Sequence, residues 1–122
     1  MRLNEVDYGA GRPVDGYGPA FFRIGGAVIE GAALVTPEGA GPWGGLDDAA
    51  ALLALAGRID VIFIGMGAEI APLPHGLRDR LEAQGLGVEI MSSPAACRSY
   101  NVTLSEGRRV AAALLPVGQA SF

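Results

Sequence analysis

Two short apolar segments, Phe21 to Ile24 and Ala27 to Glu30, flank Gly25-Gly26. Two glycines accept positive φ at both central positions of a turn, so the pattern predicts a tight hairpin. Ala32 to Thr36 predicts a third short strand. Asp60-Val61-Ile62-Phe63-Ile64-Gly65 is a β-branched apolar run, which predicts a strand covered on both faces and placed at the centre of a sheet. Val88 to Met91 predicts the next strand. Arg109 to Leu115 sets Val110, Ala112 and Leu114 on one face and Ala111, Ala113 and Leu115 on the other. Both faces are apolar, which predicts a central strand buried twice, with small alanines that permit close helix approach.

Helical signals lie between these strands. Asp47 and Asp48 sit where negative charge favours the start of a helix running to about Ala56. Its residues from Ala49 to Ala56 have no polar face, so it is expected to be covered on more than one side, within the chain or by a second molecule. A second helix carries Leu77 and Leu81 on one face, an Arg78 to Glu82 pair four apart, and Gly85 as a left-handed stop. Ser92 or Ser93 caps a third, with Pro94 in its first turn and Gly107 at its end. Residues 1–19, rich in glycine and proline, predict an irregular arm with Val6, Tyr8 and Tyr17 as anchors. The expectation is a single α/β domain over 20–118, with a four-residue tail at 119–122. Its architecture is three-layered: a central mixed sheet, flanking helices and a small additional β-hairpin layer.

Composition narrows the function. A chain of 122 residues has room for one core. Glycine (19) and proline (8) together stay below the roughly 25 to 30 per cent that marks low complexity. The net charge of −4 and pI near 4.8 withhold the basic field that nucleic-acid binding needs. Half the residues are hydrophobic and mean hydropathy is +0.33, so either the core takes an unusual share of the chain or apolar surface remains for a protein partner or a homodimer. Acids near the amino terminus argue against a signal peptide, and no apolar run has the length of a membrane span. A soluble cytoplasmic protein is expected. Cys97 is the one cysteine, so an internal disulfide and a multi-thiolate zinc site are excluded, and no metal or cofactor is expected.

Candidate chemistry gathers where strands end. Gly65-Met66-Gly67 follows a strand as a dinucleotide fingerprint does, but Ile70 occupies the place of the third glycine and Pro72 and Pro74 delay the helix. If the strands ending at Gly65 and Met91 are parallel neighbours, Gly65, Met66, Gly67, Ser92, Ser93 and Arg98 line a crevice suited to a small anion. Helix capping is the plainer role for the serines. Cys97 in a first helical turn, with His75 as the sole imidazole, is more simply a packed thiol than a nucleophile, and no catalytic residue is assigned. Glu89 either faces solvent on a sheet edge or pairs with an arginine. Asn101 is expected to bond a loop or neighbouring backbone, since a helix interior gives it little reason to be there. Trp43, in a Gly/Pro loop, is a plug over the core or an exposed anchor. With Leu52 and Leu55 of the apolar helix it forms the candidate partner-binding surface.

Gly65-Met66-Gly67 and its Pro-containing loop, the run from Met91 to Asn101, and the run from Ser105 to Leu114 together resemble a known family. It is the small domain of unknown function shared by archaea, bacteria and mitochondria, typified by mitochondrial respiratory complex I assembly factor three. The likeness runs from about Ile24 to Pro116 and is most specific in its carboxyl-terminal block. Ser93 and Ser99 stand where the family pattern usually has threonines, so the hydroxyls are kept. The resemblance implies a three-layer α/β fold and no established reaction. It implies a non-catalytic scaffolding protein whose partners are respiratory complex subunits or another assembly factor, working on the membrane-bound NADH:ubiquinone oxidoreductase. The competing expectation is a small-anion binder or enzyme using the crevice.

Overall fold

The computed structural model describes residues 12–118. The first three strands form an antiparallel meander: β1 (Val14–Gly18), β2 (Phe21–Ile24) and β3 (Ala27–Glu30). Gly25 and Gly26 link β2 to β3 with φ of 57° and 87°, both in the left-handed region the predicted turn requires. β1 occupies part of the expected irregular arm. Its glycines at 16 and 18 erase any alternation that would announce a strand, and pairing with β2 supplies the order instead. Residues 1–11 of that arm, with Val6 and Tyr8, and the tail at 119–122 lie outside the described residues.

The main sheet contains β4 (Ala33–Thr36), β5 (Gly39–Pro42), β6 (Val61–Gly65), β7 (Gly87–Met91) and β8 (Val110–Leu114), in the order β5-β4-β8-β6-β7. β6 runs parallel to both β7 and β8, whereas β4 is antiparallel to β5 and β8, so the sheet is mixed. β8 is its centre, and β6, expected there, lies one strand from the edge. The apolar run of β6 identifies two covered faces, which a strand beside an edge also has when helices lie on both sides. β5 falls in the span expected to be a loop. Its sequence Gly-Ala-Gly-Pro carries almost no side-chain signal, and only pairing with β4 makes it a strand.

A 3-10 turn over Gly45–Asp47 and three α-helices complete the described chain: α1 (Ala49–Leu53), α2 (Leu77–Ala83) and α3 (Ser93–Ser105). α1 stops short of the expected Ala56. Leu55 and Ala56 donate to the carbonyls three residues back, Leu52 and Leu53, tightening the chain into turns that bring Leu55 and Ile59 inward. Ser92 is the N-cap of α3, its Oγ accepting from Ala95 N–H at 3.3 Å. Gly107 follows the helix at φ 81°.

The central sheet separates two cores. On one face Val110, Ala112 and Leu114 of β8 meet Phe63, Ala96, Cys97, Tyr100 and Leu104, together with Phe22, Ile24 and Ile29 of the small sheet. On the other, Ala111 and Ala113 meet Ile62, Ile64, Val88, Trp43, Leu52, Leu55, Leu77 and Leu81. The alternation read along β8 is therefore the division between the two cores. The three-layer α/β architecture is as the sequence predicts.

Candidate functional site

β6 and β7 are parallel neighbours, with Gly65 opposite Met91, so the turns that follow them do converge. Their meeting place is filled. Ser93 is fully buried; its Oγ accepts from Gly67 N–H at 2.9 Å and donates to the Leu115 carbonyl at 2.6 Å. Ser93 N–H donates to the Gly67 carbonyl at 2.7 Å, and Met66 N–H to the Met91 carbonyl at 2.8 Å. Space is just as tight: a Cβ built on Gly65 would stand 2.7 Å from both Cα and Oγ of Ser93 and 3.1 Å from Leu114. Glycine is needed at 65 for close approach of α3, so this Gly-X-Gly reads as packing. The polar groups that would hold an anion bond one another.

Arg98 stands apart from that junction, exposed on α3 beside a shallow groove lined by Phe63, Ser99, Val102 and Thr103. Of the six crevice residues, Gly65, Met66, Gly67, Ser92 and Ser93 come together as a structural joint, and Arg98 does not join them. Cys97 is buried, and burial pushes its thiol up to about 11. A low-pKa nucleophile needs the opposite environment. His75 is exposed in the loop that precedes α2.

The candidate partner-binding residues Trp43, Leu52 and Leu55 are 6, 0 and 4 % exposed. The chain covers them itself. Trp43 is a plug whose Nε1–H donates to the Asp48 carbonyl at 3.2 Å, and α1 packs beside α2 and the central sheet. Leu52 and Leu55 are thus buried within one chain, while Ala50 and Ala54 on the outer side of this segment stay exposed.

Asn101 performs the task expected of it. Its Oδ1 accepts from Val14 N–H at 2.8 Å and its Nδ2 donates to the Val14 carbonyl at 2.9 Å, so one amide side chain imitates a neighbouring strand along β1. Tyr100 adds a hydroxyl bond to the Arg12 carbonyl at 3.2 Å, and burial raises the pKa of that hydroxyl. At the end of the sheet away from the Gly65–Ser93 junction, Arg109 grips Asp60 through two nitrogens, at 2.6 and 3.2 Å, and lowers the pKa of its carboxyl.

Surface features are few and specific. Glu89 faces solvent in the middle of the edge strand β7, the first of the two alternatives for it. Ile70 and Val102 are 67 and 58 % exposed; the sequence marked Ile70 only as the residue in place of a third glycine, and Val102 not at all. Ile70 in a Pro-rich loop after a buried strand carried a signal of sorts, since no periodicity there gives it an inner face. Among the described residues no helix is long and apolar enough to cross a membrane.

A family model described as a protein of unknown function, DUF498/DUF598, matches residues 14–115. An uncharacterised protein of Rhodobacter capsulatus is 56% identical over 117 residues, spanning 96% of this chain and 94% of that protein. NADH dehydrogenase (ubiquinone) 1 alpha subcomplex assembly factor 3 of Danio rerio is 30% identical, over 95% of this chain and 71% of its own length. The human protein of the same name is 27% identical, and the match spans 84% of this chain but 60% of the human one. Among solved structures, a Bordetella pertussis protein described as a Mth938-like domain superposes with a TM-score of 0.79 at 28% identity, over 98% of this chain and 95% of that one. An outer membrane protein from Bartonella henselae, so described, gives a TM-score of 0.78 at 34% identity, over 87% and 95%. The strand that Asn101 holds and the strand that Ser93 closes against lie at the two ends of the matched span, and the chain belongs to the DUF498/DUF598 family.

Proposed function

We propose that this chain is a non-catalytic, cytoplasmic protein-binding factor that assists assembly of the membrane-bound NADH:ubiquinone oxidoreductase. The observation that carries this reading is the 30% identity, over 95% of the chain, to a protein named as an assembly factor of that enzyme. The filled junction between β6, β7 and α3 supports it, because the crevice in which an open α/β sheet holds a small ligand is occupied here by Ser93 and Leu114. The protein's business then lies on its surface, with subunits of the respiratory complex or another assembly factor as partners. Deleting the gene in the source organism and resolving solubilised membranes on native gels tests this. Loss of assembled complex and of membrane NADH:ubiquinone activity, restored by the wild-type gene, is expected; an unchanged complex would overturn the reading.

A further inference from the structure

The two edges of the main sheet are finished differently. β5 presents Gly-Ala-Gly-Pro, and Pro42 has no N–H to offer. Glu38 and Arg58 form an ion pair beside the groove that flanks it. β7 has none of these protections: it contains no proline, and its register with β6 runs unbroken from Gly87 to Met91. Gly87 N–H donates to the Asp60 carbonyl, and the Met91 carbonyl accepts from Met66 N–H, both at 2.8 Å. Residues 87, 89 and 91 therefore turn their peptide groups toward β6, and Val88 and Ile90 turn theirs outward. That leaves two donors and two acceptors without a strand partner among the described residues.

Both sides of this edge carry chemistry. On the face of α1 and α2, Ile90 joins Ile70, Ala71, Pro72 and Arg78 in lining a groove of about 390 Å³, with Ile70 67 % exposed. On the opposite face Glu89 stands exposed in mid-strand, and it has no ion-pair partner among the described residues. A strand added to β7 would place its own side chains opposite these, on alternating faces. A residue opposite Glu89 is favoured when basic and disfavoured when acidic. Residues opposite Val88 and Ile90 fall on the groove side and are favoured when apolar. The same carboxylate opposes pairing of two copies centred on Glu89, since like charges would then face each other.

We propose that the open edge of β7 receives an extended segment of a partner protein, with a basic residue opposite Glu89 and an apolar residue on each side of it. This deepens the assembly-factor reading and rests on it only for the partner's role. Recognition is by strand addition, in which main-chain bonds give affinity and alternate side chains give choice.

The test uses the isotope-labelled whole chain and two capped peptides, Thr-Ile-Arg-Ile-Thr and Thr-Ile-Glu-Ile-Thr, titrated to millimolar concentration with amide shifts and hydrogen exchange as readouts. The arginine peptide is expected to shift and protect the Val88 and Ile90 amides. The glutamate peptide should bind about twofold to fivefold more weakly, the range of a cross-strand charge pair. Glu89→Arg, at an exposed position, should reverse the preference with the fold kept. Unmoved Val88 and Ile90 amides with both peptides, or equal affinity for both, would overturn the proposal. Co-purification of tagged chain with respiratory subunits separates this proposal from the broader one. Retention unaffected by Glu89→Arg overturns the β7 surface and leaves the assembly role standing. Peptide binding as expected, with assembly unchanged on gene deletion, does the reverse.

Discussion

The two faces of the central sheet are closed by different means. On the face of α3, a 13-residue helix and the small sheet are fastened by side chains that reach across most of the chain: Asn101 to Val14 and Tyr100 to Arg12. On the other face, α1 and α2 have only five and seven residues, too short to hold together alone, and apolar burial keeps them folded. The contrast follows from what each face must hold. β1 is an edge strand rich in glycine, so its register has to be specified by hydrogen bonds; α1 and α2 need only cover an apolar surface of isoleucine, valine and alanine. One face is held by geometry and the other by area.

The largest effects should come from emptying either core, and they should differ in where the chain opens. Tyr100→Ala removes a fully buried ring and is expected to cost about 3–5 kcal/mol, and Leu52→Ala about 2–5 kcal/mol, by urea unfolding. Hydrogen exchange distinguishes them. Tyr100→Ala should expose amides of β1 and β2 first, because the variant also loses the bond to the Arg12 carbonyl. Leu52→Ala should loosen α1 and α2 and leave β1 protected. Equal loss of protection in both variants would mean that the two cores unfold as one.

Asn101→Ala sharpens the point, since it removes no core volume. Both hydrogen bonds to Val14 disappear, and the expected cost is about 1–3 kcal/mol, with faster exchange confined to β1. Asn101→Asp keeps an acceptor for Val14 N–H but turns an oxygen toward the Val14 carbonyl, so it should not rescue. Trp43→Phe does the corresponding damage on the other face, losing the Nε1–H bond to the Asp48 carbonyl and some ring volume, for about 1 kcal/mol. If Trp43→Phe were the more damaging of the two, the face of α1 and α2 would depend on geometry after all.

What was legible in the sequence divides along the same line. The double alternation of β8, the Gly25-Gly26 turn, a serine cap at 92 or 93 and the task of Asn101 all rest on local rules of period, backbone conformation or hydrogen bonding, and the structure repeats them, with Ser92 as the cap. β1 and β5 were illegible because glycine carries no periodicity; their order comes from partners distant in the chain. The junction at Gly65 and Ser93 misled for a related reason. Glycines and hydroxyls at strand ends serve ligands and close helix packing equally well; what distinguishes them is that a Cβ at 65 would stand 2.7 Å from Ser93, whose hydroxyl bonds Gly67 and Leu115. Trp43, Leu52 and Leu55 misled because an apolar helix implies cover without saying whose. For these three side chains a single chain supplies it.

The remaining effect concerns pH, and it too separates the faces. Burial pushes the Cys97 thiol up to about 11 from an ordinary 9.0, and raises the Tyr100 hydroxyl above its ordinary 10.0. Both belong to the core under α3, whereas among the described residues the buried members of the other core include no ionisable side chain. Between pH 9 and 11 the folded chain keeps a thiol proton that the unfolded chain gives up, so stability is complete below that window and declines as pH rises through it. Tyr100 adds in the same direction above pH 10. Alkaline loosening should therefore begin around α3 and the small sheet, with α1 and α2 still protected. Labelling of Cys97 by a maleimide at pH 7.5 should be slow and limited by opening of that face, and Asn101→Ala should speed it while Trp43→Phe leaves it unchanged. Labelling of the wild-type chain as fast as a free thiol would show that hydrogen-bond geometry does not keep the α3 face shut, and the comparison would fail at its stronger side.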